Sequence, residues 1–311
     1  MAEAAKTAPG PGRADIDRRA LMGGLLAACL PMPAPAAELE IAGPLRCIVA
    51  LDYGLAETLI RLGQPPLAVV GAQDWDKWVV EPPLPAEVVN LGSSREPNLE
   101  LLQQLKPDLI LTTPYLAGIA HRLRQIAPVL SLPIYVPEGR PLMLAETALR
   151  RLATLTGREA AGETLLAEAE AVYAGARERL RGKAGQPVYL VNFMDGRHVR
   201  IYGAKSLFQD VLDRIGLTNA WQGRTNFWGF STIGIEELEQ DGPARLIYLD
   251  PAPPGVLPAL AKNPLWNSLS FVKAGQVQGL PPVLMFGAVP SAMRFARLVS
   301  EKLASSEAPH G

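Results

Sequence analysis

From Leu45 onward the chain alternates short apolar runs with stretches of helical period. Runs at 46–51, 67–71, 108–113 and 129–135 read as four strands, each bounded by turn residues. Between them, 54–62, 98–105 and 118–125 carry the spacing of short helices. Gly63 and Lys106-Pro107 stop the first two. Residues 142–156 then read as one uninterrupted helix, apolar at Leu142, Ala145, Leu149, Leu152 and Leu155 and broken by Gly157. A second, Ala- and Glu-rich helix covers 158–181. The alternation resumes with strands at 188–193 and 198–202 around an Asp195-Gly196 turn. A helix at 206–215, strands at 245–250 and 276–280 and a closing helix at 290–304 complete it.

Strands separated by helices imply βαβ units and largely parallel sheets. The expected architecture is α/β in two lobes, 45–140 and 158–304, joined by a bridging helix over 141–157. Such a plan puts a ligand cleft between the lobes. A helical bridge is stiff, so only small closure motion is expected.

Residues 1–36 read as an export address rather than as fold. Arg18-Arg19 is followed at once by the apolar stretch 21–28, too short to anchor in a bilayer, as in a twin-arginine (Tat-type) signal. Ala34-Pro35-Ala36 fits cleavage and soluble release into the periplasm. Leu26-Ala27-Ala28-Cys29 resembles a lipid-attachment box, and both endings stay open.

A net charge of -1 gives no footprint for nucleic acid. Cys29 and Cys47 leave a single thiol after export, so no disulfide framework or cysteine metal cage is expected. Three histidines, His121, His198 and His310, do not make a metal site, and no cofactor is expected. No Gly-x-Gly-x-x-Gly follows the first strand, and neither a Walker-type loop nor a Gly-x-Ser-x-Gly elbow occurs. No enzymatic activity is expected.

The unusual side chains gather where strands should end. Tyr53 follows the first strand, Tyr115 the third, and Arg95 lies in Ser93-Ser94-Arg95-Glu96. All five tryptophans, at 75, 78, 221, 228 and 266, fall in loop-like contexts. Trp266 is read as core. Trp78 and Trp228 are read as ligand walls, and Trp75 and Trp221 fit either role. Aromatic rings with one arginine suit a large, partly apolar ligand with an anionic or strongly acceptor-rich centre.

Four segments carry a family resemblance: 78–85, 95–102, 206–210 and 219–229, the last reading Asn-Ala-Trp-Gln-Gly-Arg-Thr-Asn-Phe-Trp-Gly. With the twin-arginine leader, they resemble the periplasmic iron(III)-hydroxamate (ferrichrome) binding proteins of siderophore importers. The resemblance runs from Arg46 to Leu298. It implies a class III solute-binding fold, no catalysis, and a monomer that delivers a ferric hydroxamate siderophore to an inner-membrane ABC permease. It also implies an arginine and a tyrosine that donate to iron-bound hydroxamate oxygens, without contact to the metal. The family arginine falls at Ser94, with Arg95 one place later. The family tyrosine falls at Leu116, with Tyr115 one place earlier. Trp78 and Trp228 match wall residues, Tyr53 replaces a tryptophan, and Leu284, Met285 and Phe286 stand where further aromatics are expected. For permease docking, Glu236 matches the second-lobe carboxylate and His121 falls at the first-lobe position. Glu57 or Glu100 could substitute at the first-lobe position, but both are read first as solvated helix charges.

Two other readings stay in view. The same fold could carry haem, a cobalamin or a catecholate siderophore. A catecholate complex is strongly anionic and would want several cations, where Arg95 and Arg224 are all that the loops offer. An exported hydrolase would need a nucleophile and base that the motifs do not supply.

Overall fold

A computed structural model describes residues 45–182, 186–238 and 243–305; the export segment and Cys29 lie outside them. The first half contains β1 (Ile48–Ala50), α1 (Tyr53–Arg61), β2 (Ala68–Val69), α2 (Trp75–Trp78) and β3 (Val89–Asn90). It continues with α3 (Leu99–Leu105), β4 (Leu109–Thr112), α4 (Ala120–Arg124) and β5 (Val129–Ser131). Its strands are all parallel, in the order β3-β2-β1-β4-β5. Side-chain caps set the starts of α1 and α3. Asp52 accepts the Leu55 N–H at 3.0 Å, and Asn98 accepts that of Leu101 at 2.9 Å.

Two expectations fail here for a local reason. The strand expected over 129–135 stops at Ser131, because Pro133 has no N–H for the ladder. The helix expected over 118–125 begins as a 3-10 turn, Pro114–Ile119, and becomes α4 only at Ala120.

Two long helices follow, α5 (Pro141–Thr156) and α6 (Glu159–Arg179). Gly157 separates them in the left-handed conformation, φ 63°, that favours glycine. The second half contains β6 (Val188–Phe193), β7 (His198–Tyr202), α7 (Leu207–Ile215), β8 (Phe230–Gly234) and β9 (Arg245–Leu249). It ends with α8 (Val256–Ala261), α9 (Pro264–Ser268), α10 (Ser270–Lys273), β10 (Val277–Leu280) and α11 (Val289–Ser305). This sheet runs β10-β9-β6-β7-β8, with β7 antiparallel to both of its neighbours, β6 and β8, and the other pairs parallel. Trp75, Trp78 and Trp266 sit on α2 and α9, not in loops.

Strand alternation divides the core. Ile48 and Ala50 of β1, Leu109 and Leu111 of β4, Val188 and Leu190 of β6, and Ile247 and Leu249 of β9 all belong to one buried cluster. Leu55, Leu149, Leu152, Phe208 and Phe295 from the helices complete it, so one apolar core runs through both halves. The opposite faces form separate clusters: Val49 and Ile110 in the first half, and Tyr189, Val191 and Leu246 in the second.

Polar contacts reinforce this seam. The buried Glu57 carboxylate on α1 accepts from Ala288 N–H (2.6 Å), Ser291 N–H (3.3 Å) and Ser291 Oγ (2.7 Å) at the start of α11. That is the positive end of a helix dipole. Its burial overturns the reading of Glu57 as a solvated charge. Arg294 and Arg297 of α11 both pair with Glu81 of the first half.

Candidate functional site

Seven residues build an aromatic site from both halves. Its second-half centre is a turn. Asn226 Oδ1 accepts from the N–H groups of Trp228 (3.0 Å) and Phe230 (3.3 Å), and the Asn226 N–H donates to Phe230 O (2.9 Å). Gly229 closes the turn at φ 80°, against the backbone of Ser206, where a Cβ would lie 2.3 Å from the Ser206 nitrogen. The turn presents Phe227 and Trp228 side by side, ring centroids 4.5 Å apart.

Trp228 is met by rings from three other segments. Phe286, in the loop after β10, is 5.2 Å away. Tyr115, in the turn after β4, is 5.9 Å away and edge-on, and Tyr135, after β5, is 6.0 Å away. Tyr135 also contacts Phe286 at 5.5 Å and donates its hydroxyl to Gly287 O at 2.8 Å. Edge-to-face pairs at these distances each add about 0.5–1.5 kcal/mol beyond burial. Tyr115 and Phe227 nevertheless remain exposed, at 53% and 42%. These rings are thus available to a ligand.

Behind Phe286 lies Phe230, 6.2 Å away, with the Arg200 guanidinium 4.4 Å from its centroid. Arg200 Nη1 donates to Met285 Sδ at 3.0 Å. Strand phase explains the direction. Val199 and Ile201 of β7 point into the second half's own core, and Tyr202 into the shared one, so Arg200 faces the first half with Tyr202.

The other expected site residues are placed differently. Tyr53, Trp78, Ser94 and Arg95 follow β1, β2 and β3, and Tyr115 follows β4, all at the same end of the parallel sheet. Three strand spacings, about 14 Å, separate β3 from β4, so only a wide ligand reaches Arg95 and Tyr115 together. The Arg95 loop is exposed, with the Arg95 N–H donating to Ser93 Oγ at 3.2 Å, and Ser94 is half-buried. Tyr53 packs edge-on to the buried Trp75 at 5.7 Å and donates to Gly71 O at 2.8 Å; burial pushes its phenol up to about 12. Trp78 is half-buried against the shared core, under the Lys77 ammonium at 4.6 Å. Leu284 is core, at 5% exposure. Trp221 packs against the second half's core, over Gly203 and Gly223. His121 on α4 and Glu236 on the 3-10 turn Ile235–Leu238 are both exposed.

Tyr135, Phe230 and Arg200 escaped the sequence reading. Tyr135 was absorbed into an expected strand. For Arg200 a signal existed: it shares strand parity with Tyr202 rather than with Val199 and Ile201.

Two acids lie beneath the site. Burial pushes the half-buried Asp52 carboxyl up to about 6 and that of Glu57 up to about 7, against the hydrogen bonds that hold each down. Among the described residues no three His, Cys, Asp or Glu side chains gather as a metal cage, and no helix is long and apolar enough to cross a membrane.

The family model described as periplasmic binding protein matches residues 48–284. The chain belongs to the periplasmic binding protein family. This periplasmic binding protein is 35% identical over 257 residues to the iron(3+)-hydroxamate-binding protein FhuD of Escherichia coli K12, covering 82% of this chain and 86% of that protein. The siderophore-binding protein FhuD from Vibrio cholerae, solved with Fe3+-Desferal bound, superposes with a TM-score of 0.80 at 29% identity. That match covers 85% of this chain and 99% of the other. The triscatecholate siderophore-binding protein FeuA from Bacillus subtilis shares the fold, with a TM-score of 0.69 at 21% identity over 86% of this chain and 95% of its own. The architecture of this periplasmic binding protein is thus the class III solute-binding fold expected from its sequence.

Proposed function

We propose that this periplasmic binding protein captures a ferric siderophore of the hydroxamate class between its two halves and delivers it to an ABC import permease. The observation that carries the reading is the ring cluster in which Tyr115 and Tyr135 of one half meet Trp228 and Phe286 of the other. A wrapped ferric chelate offers a partly apolar exterior to such rings and oxygen acceptors to nearby donors. Tyr115 and Arg95 are the first-half donors in this reading, Trp78 and Tyr53 line the approach, and the protein does not ligate iron. The similarity to the Escherichia coli hydroxamate-binding protein supports the ligand class.

The protein acts as a monomer outside the cytoplasm, exported through the Arg18-Arg19 signal and released after Ala36 or held by a lipid on Cys29. It carries its cargo without catalysis and without a cofactor. Glu236 docks the permease from the second half, with the His121 surface on the first.

Calorimetry on the mature chain tests the ligand class. Ferrichrome and ferrioxamine B should bind, and their iron-free forms should not compete. If no ferric hydroxamate binds, while haem, a cobalamin or a ferric catecholate does, the ligand assignment is wrong.

A further inference from the structure

Arg200 is a cation whose protein partners do not match its donors. A guanidinium presents five N–H donors in a planar fork. Here Nη1 meets a thioether, a weak acceptor, at 3.0 Å. The Nε is buried and has no acceptor among the described residues. The other partners are uncharged too: the Tyr202 side chain, hydrogen-bonded to Arg200, and the face of Phe230 at 4.4 Å. The Met285 sulfur is itself shared: the Tyr202 hydroxyl, which donates to Asn192 Oδ1 at 2.7 Å, lies 3.0 Å from it. By contrast, Arg294 and Arg297 at the seam each pair with a carboxylate.

A partly desolvated cation calls for a compensating negative charge. Strand phase aims this one at the first half, and Phe230 and Met285 hold it beside Phe286, at the edge of the ring cluster. Its stacked, planar fork is suited to a bidentate carboxylate.

We infer that Arg200 is the second half's anion contact, and that the preferred cargo is a ferric hydroxamate bearing a carboxylate on its periphery rather than an overall neutral one. The inference rests on the proposed siderophore function and narrows it. Arg200 is then a specificity-determining residue: it leaves iron-bound oxygens to other donors and reads the charge of the carrier.

The test compares two probes by calorimetry. Ferrichrome is a neutral tris-hydroxamate, and ferric aerobactin is a citrate-centred dihydroxamate with carboxylates. Arg200→Leu should weaken ferric aerobactin binding roughly 10- to 100-fold, and ferrichrome binding less than about 3-fold. Arg200→Gln keeps polar donors and removes the charge. It should show the same selective loss, so a folding defect in the leucine variant does not decide the outcome. Equal losses for the two probes, or no loss for either, overturn the inference and leave the siderophore reading standing. A wild-type protein that binds neither probe overturns both.

Discussion

The seam and the ring cluster of this molecule treat charge in opposite ways. At the seam, Glu57 is fully enclosed, yet both carboxylate oxygens accept hydrogen bonds from the start of α11. At the ring cluster, Arg200 has a ring, a thioether, a phenol and an unmatched Nε, and no carboxylate among these partners. Groups whose partners lie within the chain fix the relation of the two halves. Arg200, at the edge of the ring cluster, is the group that we propose is left to a ligand. The shared apolar core and the α1–α11 contact tie the two halves together.

Breaking the seam gives the largest expected effect. Glu57→Ala leaves two N–H groups and a hydroxyl without their acceptors. It should cost about 3 kcal/mol of stability, read from urea denaturation. Glu57→Gln keeps an acceptor toward Ala288 and should cost clearly less. If the alanine variant is as stable as wild type, the seam is not held by this contact.

The titration of the same region gives a smaller effect with a definite sign. The carboxyls of Asp52 and Glu57 are raised to about 6 and about 7. The protonated forms are therefore favoured in the folded state. Their contribution is fully present below the unfolded values, about 4 for both, and is lost as pH rises through 6 and 7. The thermal midpoint should climb between pH 8 and pH 5. Glu57→Gln should flatten the upper part of that profile. A midpoint that falls on acidification across this window would contradict the assignment. Asp108 and Glu81, held below the usual carboxylate range by backbone N–H groups and by Arg294 and Arg297 respectively, act in the opposite sense only at lower pH.

Much of the frame was legible from periodicity. The expected helices at 142–156, 158–181 and 290–304 appear as Pro141–Thr156, Glu159–Arg179 and Val289–Ser305. Long helices announce themselves through many repeats of one pattern. The two-residue β3 and the helices of four to six residues between 256 and 273 do not, because they are shorter than the pattern that would reveal them. The site was legible in part. Trp228, Tyr115 and Phe286 stood out as aromatics in expected loops, and they meet. Glu57 looked like a surface charge because its partners lie 231 and 234 positions away. Trp221 fitted either role because sequence cannot tell a ring facing a cleft from one closing a core edge. Its packing over two glycines depends on tertiary structure alone.

In the proposed function a ligand sits against Trp228, between the two halves. Intrinsic fluorescence of the mature protein, titrated with a ferric hydroxamate, tests this most directly when wild type and Trp228→Phe are compared. Strong quenching in wild type, largely lost in the variant while calorimetry still detects binding, is the predicted result. Equal quenching in the two proteins would place the cargo elsewhere and contradict the account.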